Sequence, residues 1–63
     1  MAVIDDSDGW SNVREEQTTK SNILFKIFDD QKFIIITNYG RWSLISFNDK
    51  TGYISNSVVK LIE

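Results

Sequence analysis

Short alternations of apolar and polar residues run along this chain, and their two-residue period predicts β-strands. The most apolar stretch, Phe33–Thr37, is β-branched or aromatic on both faces, which predicts a strand buried on two sides. Further strands are predicted at Ile23–Phe28, Trp42–Phe47, Tyr53–Ser55 and Val59–Ile62, the last pairing with a strand near the N-terminus. Short strands at this spacing predict an all-β fold, a small five-stranded antiparallel barrel.

Polar and glycine-containing segments separate the predicted strands. Asn38-Tyr39-Gly40-Arg41 predicts a hairpin turn, because Asn and Gly adopt positive φ at low cost. Asn48–Gly52 predicts the next turn, with Gly52 in a bulge or a left-handed conformation. Asn56-Ser57-Val58 predicts one helical turn, although the last eight residues fit a helical period as well as a strand. Asn12–Lys20 favours helix locally but has almost no apolar face, so we interpret it as a polar surface loop.

The predicted strands share one set of core residues, namely Val3, Phe25, Phe33, Ile35, Ile45, Phe47 and Ile54. Strand alternation places Ile45 and Phe47 on one face of their strand and Trp42 on the other. With Ile45 and Phe47 in the interior, Trp42 faces outward. It is then either available to a partner or covered by the Glu15–Thr19 loop.

Composition limits what the chain can do. Its 63 residues predict a single domain, 1–63, which we expect to be cut from a longer protein. A secretory signal peptide is not expected, because Asp5 and Asp6 stand where such a leader is apolar. Without cysteine or histidine, the sequence predicts no disulfide, no metal site, no cofactor and no catalytic residue. The net charge of −2 argues against nucleic acid as a partner, and the longest apolar run is too short for membrane insertion.

One acidic segment invites comparison with a calcium-binding loop. If Gly9 takes the sixth position of an EF-hand loop, Asp6, Asp8 and Glu15 take positions three, five and twelve. Position one would then be Ile4, which has no ligating atom, and no flanking helices are predicted. A solvated acidic turn is the better interpretation.

Several short motifs occur in a characteristic order: Asp8-Gly9, then Asn12-Val13-Arg14, then Gly40-Arg41-Trp42, then Asp49–Ile54. In this order they resemble the bacterial Src-homology-3 (SH3b) family of small barrels attached to cell-envelope enzymes and lipoproteins. The resemblance extends from Val3 to Leu61 and departs from the family pattern in lacking the loop Gly-Pro pair. It implies a non-catalytic binding module in the cell envelope that recognises a peptide or peptidoglycan component and targets an attached domain there. The alternative is a structural module that packs against a neighbouring domain or another protein.

The resemblance also bears on whether the chain binds proline-rich ligands. Eukaryotic Src-homology-3 domains bind proline-rich helices between paired aromatic side chains and a proline. In this chain Ser55 takes the position of that proline and Val58 the position of a groove tyrosine. Trp42 matches the ligand-facing tryptophan, but Ser43 takes the second tryptophan position. We therefore predict that a proline-rich ligand is not bound.

Five residues are the candidate ligand-binding set: Trp10, Asn12, Arg14, Tyr39 and Trp42. Trp10 is either a plug at one end of the barrel or a platform for a ligand. Asn12 and Arg14 alternate with a valine and point away from the core, where they either hold the loop or bind a carboxylate. Tyr39 lies at a hairpin tip, where it is either solvated or a stacking partner beside Trp42.

Overall fold

The computed structural model describes residues 1–62. Within them the chain forms seven β-strands and one 3-10 turn at Asn56–Val58. The strands, in chain order, are β1 (Ala2–Ile4), β2 (Trp10–Arg14), β3 (Ile23–Phe28), β4 (Ile34–Asn38), β5 (Trp42–Phe47), β6 (Lys50–Ser55) and β7 (Val59–Leu61). The all-β prediction is confirmed.

The strands of residues 1–62 form two antiparallel sheets. The larger has five strands in the order β3-β2-β6-β5-β4, and the smaller pairs β1 with β7. Ala2 and Phe33 exchange two backbone hydrogen bonds of 2.9 Å, which join β1 to the residue before β4. The C-terminal segment is therefore a strand preceded by one helical turn, which confirms one of the two alternatives left open by its sequence.

The core lies where the inward faces of both sheets meet. It consists of Ala2, Ile4, Val13, Ile27, Phe33, Ile45 and Ile54, with Phe25, Ile35 and Phe47 packed against it. The prediction that Val3 belongs to this core is wrong. Because side chains alternate along a strand and Ala2 bridges to Phe33, Ala2 and Ile4 point inward and Val3 is only half-buried.

A central strand occupies part of the segment interpreted as polar loop. Trp10–Arg14 pairs with β3 along its whole length and with β6 at Arg14 and Tyr53. Val13 is its only fully buried side chain, so the segment carried almost no hydrophobic periodicity. Strand pairing on both sides fixes its conformation instead. The loop interpretation is therefore wrong for Asn12–Arg14, while the residues between β2 and β3 do form a loop.

Gly52 does not occupy a bulge or a left-handed conformation. It lies within β6 in regular register with Ile45, and the turn before it consists of Asn48 and Asp49, with φ of 49° and 65°. Positive φ at both central positions is the geometry of the tightest hairpins. Gly52 is required for another reason: a Cβ there would lie 2.5 Å from Cγ1 of Val13.

The prediction that Phe33–Thr37 is buried on both faces is also wrong. Phe33 is buried, but Ile34 and Ile36 are 53% and 51% exposed, because β4 is the outer strand of its sheet. A register shift against β5 between Ile35 and Thr37 adds an irregularity there. The outward face of this apolar strand is thus uncovered in the isolated chain.

Candidate functional site

A pocket of about 220 Å³ opens on the outer face of β2, β6 and β5. Trp10, Asn12, Arg14 and Trp42 line it, which brings together four of the five residues predicted to bind a ligand. The other lining residues are polar: Asp6, Asp8, Ser11, Thr19 and Ser55. We call this site the aromatic pocket.

Strand register explains why these distant residues meet. Trp10, Asn12 and Arg14 alternate along β2, so their side chains share the face opposite Val13. Arg14 pairs with Tyr53, and continuing that antiparallel register by two residues sets Asn12 beside Ser55. Ser55 in turn pairs with Trp42. Three adjacent strands therefore place an amide, a hydroxyl and an indole in one row across the sheet.

Trp10 forms one end of the aromatic pocket. It is half-buried, and Nζ of Lys26 lies 4.3 Å from the centroid of its ring. A cation over an indole face is an attractive contact, so Lys26 holds the ring in place and covers one of its faces. The indole thus remains partly accessible at the pocket wall and is not enclosed as a plug.

Trp42 faces outward, as strand alternation predicted, and is half-buried. Of the Glu15–Thr19 loop only Thr19 lines the aromatic pocket. Glu15, Glu16, Gln17 and Thr18 line a separate pocket of about 430 Å³ beside Tyr53, which we call the loop pocket. The loop therefore borders the aromatic pocket on one side and leaves it open.

Arg14 fixes the loop that follows β2. Its Nη1 donates a hydrogen bond of 3.0 Å to the carbonyl oxygen of Ser21. Ser21 in turn donates from its hydroxyl toward the carbonyl oxygens of Thr18 and Glu16, at 2.9 and 3.3 Å. The loop-holding role considered for Arg14 is thus present. A guanidinium carries five N–H donors, so this bond leaves others for a ligand.

Asn12 carries an unsatisfied polar atom. Its Oδ1 is buried and has no hydrogen-bond partner among the described residues. An unpaired buried acceptor costs about 1–3 kcal/mol, and such atoms are rare enough in folded proteins to require an explanation. A ligand N–H that reaches this oxygen would remove the cost.

Tyr39 lies away from the other four candidates. Its ring is 53% exposed and packs against Tyr53 at a centroid distance of 6.1 Å, with an interplanar angle of 49°. Its backbone meets Trp42 through a hydrogen bond of 2.8 Å from the Tyr39 N–H to the Trp42 carbonyl oxygen, but the two rings do not form a pair. The structure therefore does not stack Tyr39 beside Trp42.

Sequence reasoning missed the acidic end of the aromatic pocket. Asp6 and Asp8 belong to a tight turn in which Asp6 Oδ1 accepts the Asp8 N–H at 2.8 Å and Gly9 adopts a φ of 79°. That turn leads directly into Trp10 and sets both aspartates at the pocket wall. The Asp-x-Asp-Gly pattern before an aromatic residue was the available signal.

The groups at this site are suited to binding. Two indoles offer apolar contact, one guanidinium and two carboxylates offer charge, and Asn12 offers an amide. Within residues 1–62, no three Asp or Glu side chains lie close enough together to hold a metal ion. No helix in that part of the chain is long and apolar enough to cross a membrane.

Comparison with known protein families gives a match over most of the chain. Residues 7–60 match the family described as the bacterial SH3 domain. This span includes β2 to β6 and every residue of the aromatic pocket except Asp6. Comparison with curated proteins finds no similar sequence. The family resemblance indicated by the motifs is confirmed, and the chain belongs to the bacterial SH3 domain family.

Proposed function

We propose that the chain is a non-catalytic module that binds a short peptide or the peptide part of peptidoglycan. In this role it would be one domain of a longer protein and would target the attached domain to the cell envelope. Membership of the bacterial SH3 family supports a binding module in general. The observation that carries the proposal is the convergence of Trp10, Asn12, Arg14 and Trp42 on one open pocket.

The size of the aromatic pocket favours a small ligand segment. Its volume of about 220 Å³ lies below the range of about 300–1,000 Å³ that is typical of small-molecule and cofactor sites. A few residues of extended peptide fit such a space better than a nucleotide or a folded protein surface. The two indoles would pack against side chains, while Asn12 and Arg14 would meet backbone and carboxylate groups.

The same geometry favours a ligand other than a proline-rich helix. Polyproline grooves depend on parallel aromatic walls that contact successive proline rings. In the aromatic pocket Ser55 lies between Asn12 and Trp42, and Ser43 is fully buried in the core. Ser55 and Asn12, rather than aromatic rings, thus flank Trp42 across the sheet, and this polar surrounding suits a peptide backbone better than a run of prolines.

Sedimentation with purified, insoluble peptidoglycan tests the proposal. We expect the wild-type chain to sediment and Trp42→Ala to stay in solution, while circular dichroism shows that both are folded. Ile34→Ala removes an exposed apolar side chain from β4, outside the pocket, and should sediment like the wild type. Equal sedimentation of wild type and Trp42→Ala would contradict a ligand site at Trp42.

A second candidate function rests on a different observation. Both outer strands of the large sheet expose apolar side chains at about half of their surface: Ile23, Leu24 and Phe28 on β3, and Ile34 and Ile36 on β4. Exposed apolar edges are surfaces that another domain or protein commonly covers. In this alternative the chain is a domain-packing module without a free ligand.

Light scattering distinguishes the second candidate from the first. A domain-packing module should self-associate when isolated, and Ile34→Lys and Ile36→Lys should return it to a monomer. These substitutions should leave peptidoglycan sedimentation unchanged if the aromatic pocket is the functional site. A monomeric wild type at high protein concentration would count against the packing role.

A further inference from the structure

We propose that the aromatic pocket binds both ends of a short peptide, with the ammonium group at Asp6 and Asp8 and the carboxylate at Arg14. This inference rests on the proposed peptide-binding function and adds the charge pattern of the ligand. It follows from the arrangement of charge in the pocket: both acidic side chains lie before the start of β2, and the basic one lies at the end of that strand.

At the acidic end of the pocket, Asp6 and Asp8 have carboxylate oxygens that can accept hydrogen bonds from a ligand. Asp6 uses Oδ1 to accept the Asp8 N–H, which holds the two side chains on the same turn. Near this turn, Asp29 lies against Gly9, where a Cβ would be 3.3 Å from the Asp29 Oδ2. The ammonium of Lys26 also lies at this end, but it is engaged over the Trp10 ring. The balance of charge around this end is negative, which attracts an ammonium group.

The basic end presents an anchored guanidinium. The bond from Arg14 Nη1 to the Ser21 carbonyl oxygen fixes the side chain without neutralising its charge. A planar guanidinium with donors to spare accepts a carboxylate in a two-point contact. Because the guanidinium is already held in place, little conformational freedom is lost when a carboxylate binds.

The distance between the two ends sets the length of the ligand. From Trp10, which follows the acidic turn, to Arg14 the backbone of β2 rises by four residues, or about 13 Å at about 3.3 Å per residue, which gives the scale of this separation. An extended tripeptide spans about 10–11 Å at about 3.3–3.6 Å per residue, and its terminal groups add the remainder. Its middle residue would lie over Asn12, whose amide can then pair with the peptide backbone.

The pocket also favours small ligand side chains. The space of about 220 Å³ is shared with the backbone of the bound peptide, and the indoles of Trp10 and Trp42 are part of its lining. A ligand that meets both charged ends and fits this volume is therefore a zwitterionic peptide of about three small residues. A free tripeptide and the exposed end of a larger peptide both meet this description when the second terminus is also charged.

Trialanine and its capped forms test the inference. Two-dimensional NMR of the chain, titrated with trialanine, N-acetyl-trialanine and trialanine amide at constant ionic strength, gives a Kd for each. We expect the free peptide to shift the indole N–H signals of Trp10 and Trp42. Each cap should weaken binding by about tenfold, the loss expected for one charge-assisted contact.

A pair of charge-matched variants assigns the ammonium site. Asp6→Asn with Asp8→Asn removes two charges while keeping an acceptor for the Asp8 N–H, and should abolish discrimination between trialanine and its N-acetyl form. Glu15→Gln with Glu16→Gln changes the net charge equally in the loop pocket and should preserve that discrimination. Loss of discrimination in both double variants would mean that overall charge, and not Asp6 and Asp8, selects the peptide, which overturns the inference.

The possible failures of the inference and of the proposed function give different results. If all three peptides bind equally and shift both indole signals, the charge selection is wrong while peptide binding stands. If no trialanine form binds, the inference is overturned, and Trp42-dependent sedimentation with peptidoglycan then decides whether the proposed function survives.

Discussion

Ser43 donates a hydrogen bond of 2.6 Å from its hydroxyl to Oδ1 of Asn56, joining β5 to the 3-10 turn that follows β6. Asn56 then donates from Nδ2 to Asn38 Oδ1 at 2.9 Å and to the Gly40 carbonyl oxygen at 2.8 Å. Its backbone N–H reaches the Arg41 carbonyl oxygen at 2.9 Å. One asparagine thus fastens the β4–β5 hairpin next to Trp42.

Ser43→Ala should therefore destabilise the fold although it removes a single oxygen. Among residues 1–62, Ser43 is the polar residue that is fully buried. Removing its hydroxyl leaves Asn56 Oδ1 without that donor. We expect the free energy of unfolding to fall by about 1–2 kcal/mol in urea denaturation. Ser46→Ala, on the opposite face of β5 and only half-buried, is the control and should change stability by less than about 0.5 kcal/mol. Equal losses in the two variants would contradict this account.

Gly52→Ala should destabilise the chain through contact with β2. The added Cβ would lie 2.5 Å from Cγ1 of Val13 and 3.1 Å from the carbonyl oxygen of Arg14, so the two strands must move apart. Overpacking of this kind costs about 1–3 kcal/mol. A double-mutant cycle with Val13→Ala checks the cause, since removing the valine methyls relieves part of the clash.

The cycle has a definite expected sign. The free-energy loss of the Gly52→Ala, Val13→Ala double variant should be smaller than the sum of the two single losses. Strict additivity would show that the cost of Gly52→Ala arises elsewhere. Gly40→Ala gives a contrast, because its Cβ would meet nothing within 4 Å and its cost comes only from a φ of 100°. No coupling between Gly40 and Val13 is expected.

Arg14→Gln should loosen the loop between β2 and β3. The variant loses the bond to the Ser21 carbonyl oxygen, while other bonds of the loop remain, among them the Glu15 N–H to Asn22 carbonyl bond of 3.0 Å and the hydroxyl bonds of Ser21. We expect amide hydrogen exchange in residues 15–22 to accelerate by about fivefold, from a loss of about 1 kcal/mol. Exchange in β5 should not change. Lys20→Gln removes a charge in the same loop and serves as the control; equal acceleration there would contradict the role of Arg14.

Strands with a strongly apolar inward face were predictable, and Trp42–Phe47 is the clearest example. Ile45 in the core dictates that Trp42 faces outward, and the structure agrees. Trp10–Arg14 was not recognised as a strand because only Val13 on it is fully buried. Its conformation depends on partners far along the chain, β3 and β6, which no local pattern describes.

The requirement for Gly52 also depends on a residue far along the chain and could not be predicted from the local sequence. Glycine next to a turn suggests a special backbone conformation, but here it is the close approach of Val13 that excludes a side chain. Residue type and alternation selected Trp10, Asn12, Arg14 and Trp42, which the structure brings to one pocket. Asp6 and Asp8 were missed as ligand contacts because their place beside Trp10 depends on the turn at Gly9.

Tyr39→Ala distinguishes the aromatic pocket from the neighbouring aromatic pair. The ring of Tyr39 contacts Tyr53 and does not line the aromatic pocket, so we expect peptidoglycan sedimentation to match the wild type. Stability should fall by about 0.5–1.5 kcal/mol, the usual contribution of an aromatic pair. Tyr39→Phe keeps the ring and should restore that stability.

Loss of sedimentation in Tyr39→Ala, with Tyr39→Phe binding normally, would place a second ligand contact on the Tyr39–Tyr53 pair. That result would extend the site across the outer face of β5 and β6 toward the loop pocket, which Tyr53 also lines. Retained sedimentation would leave the aromatic pocket as the ligand site, because Tyr39 is the candidate that the fold holds apart from the others.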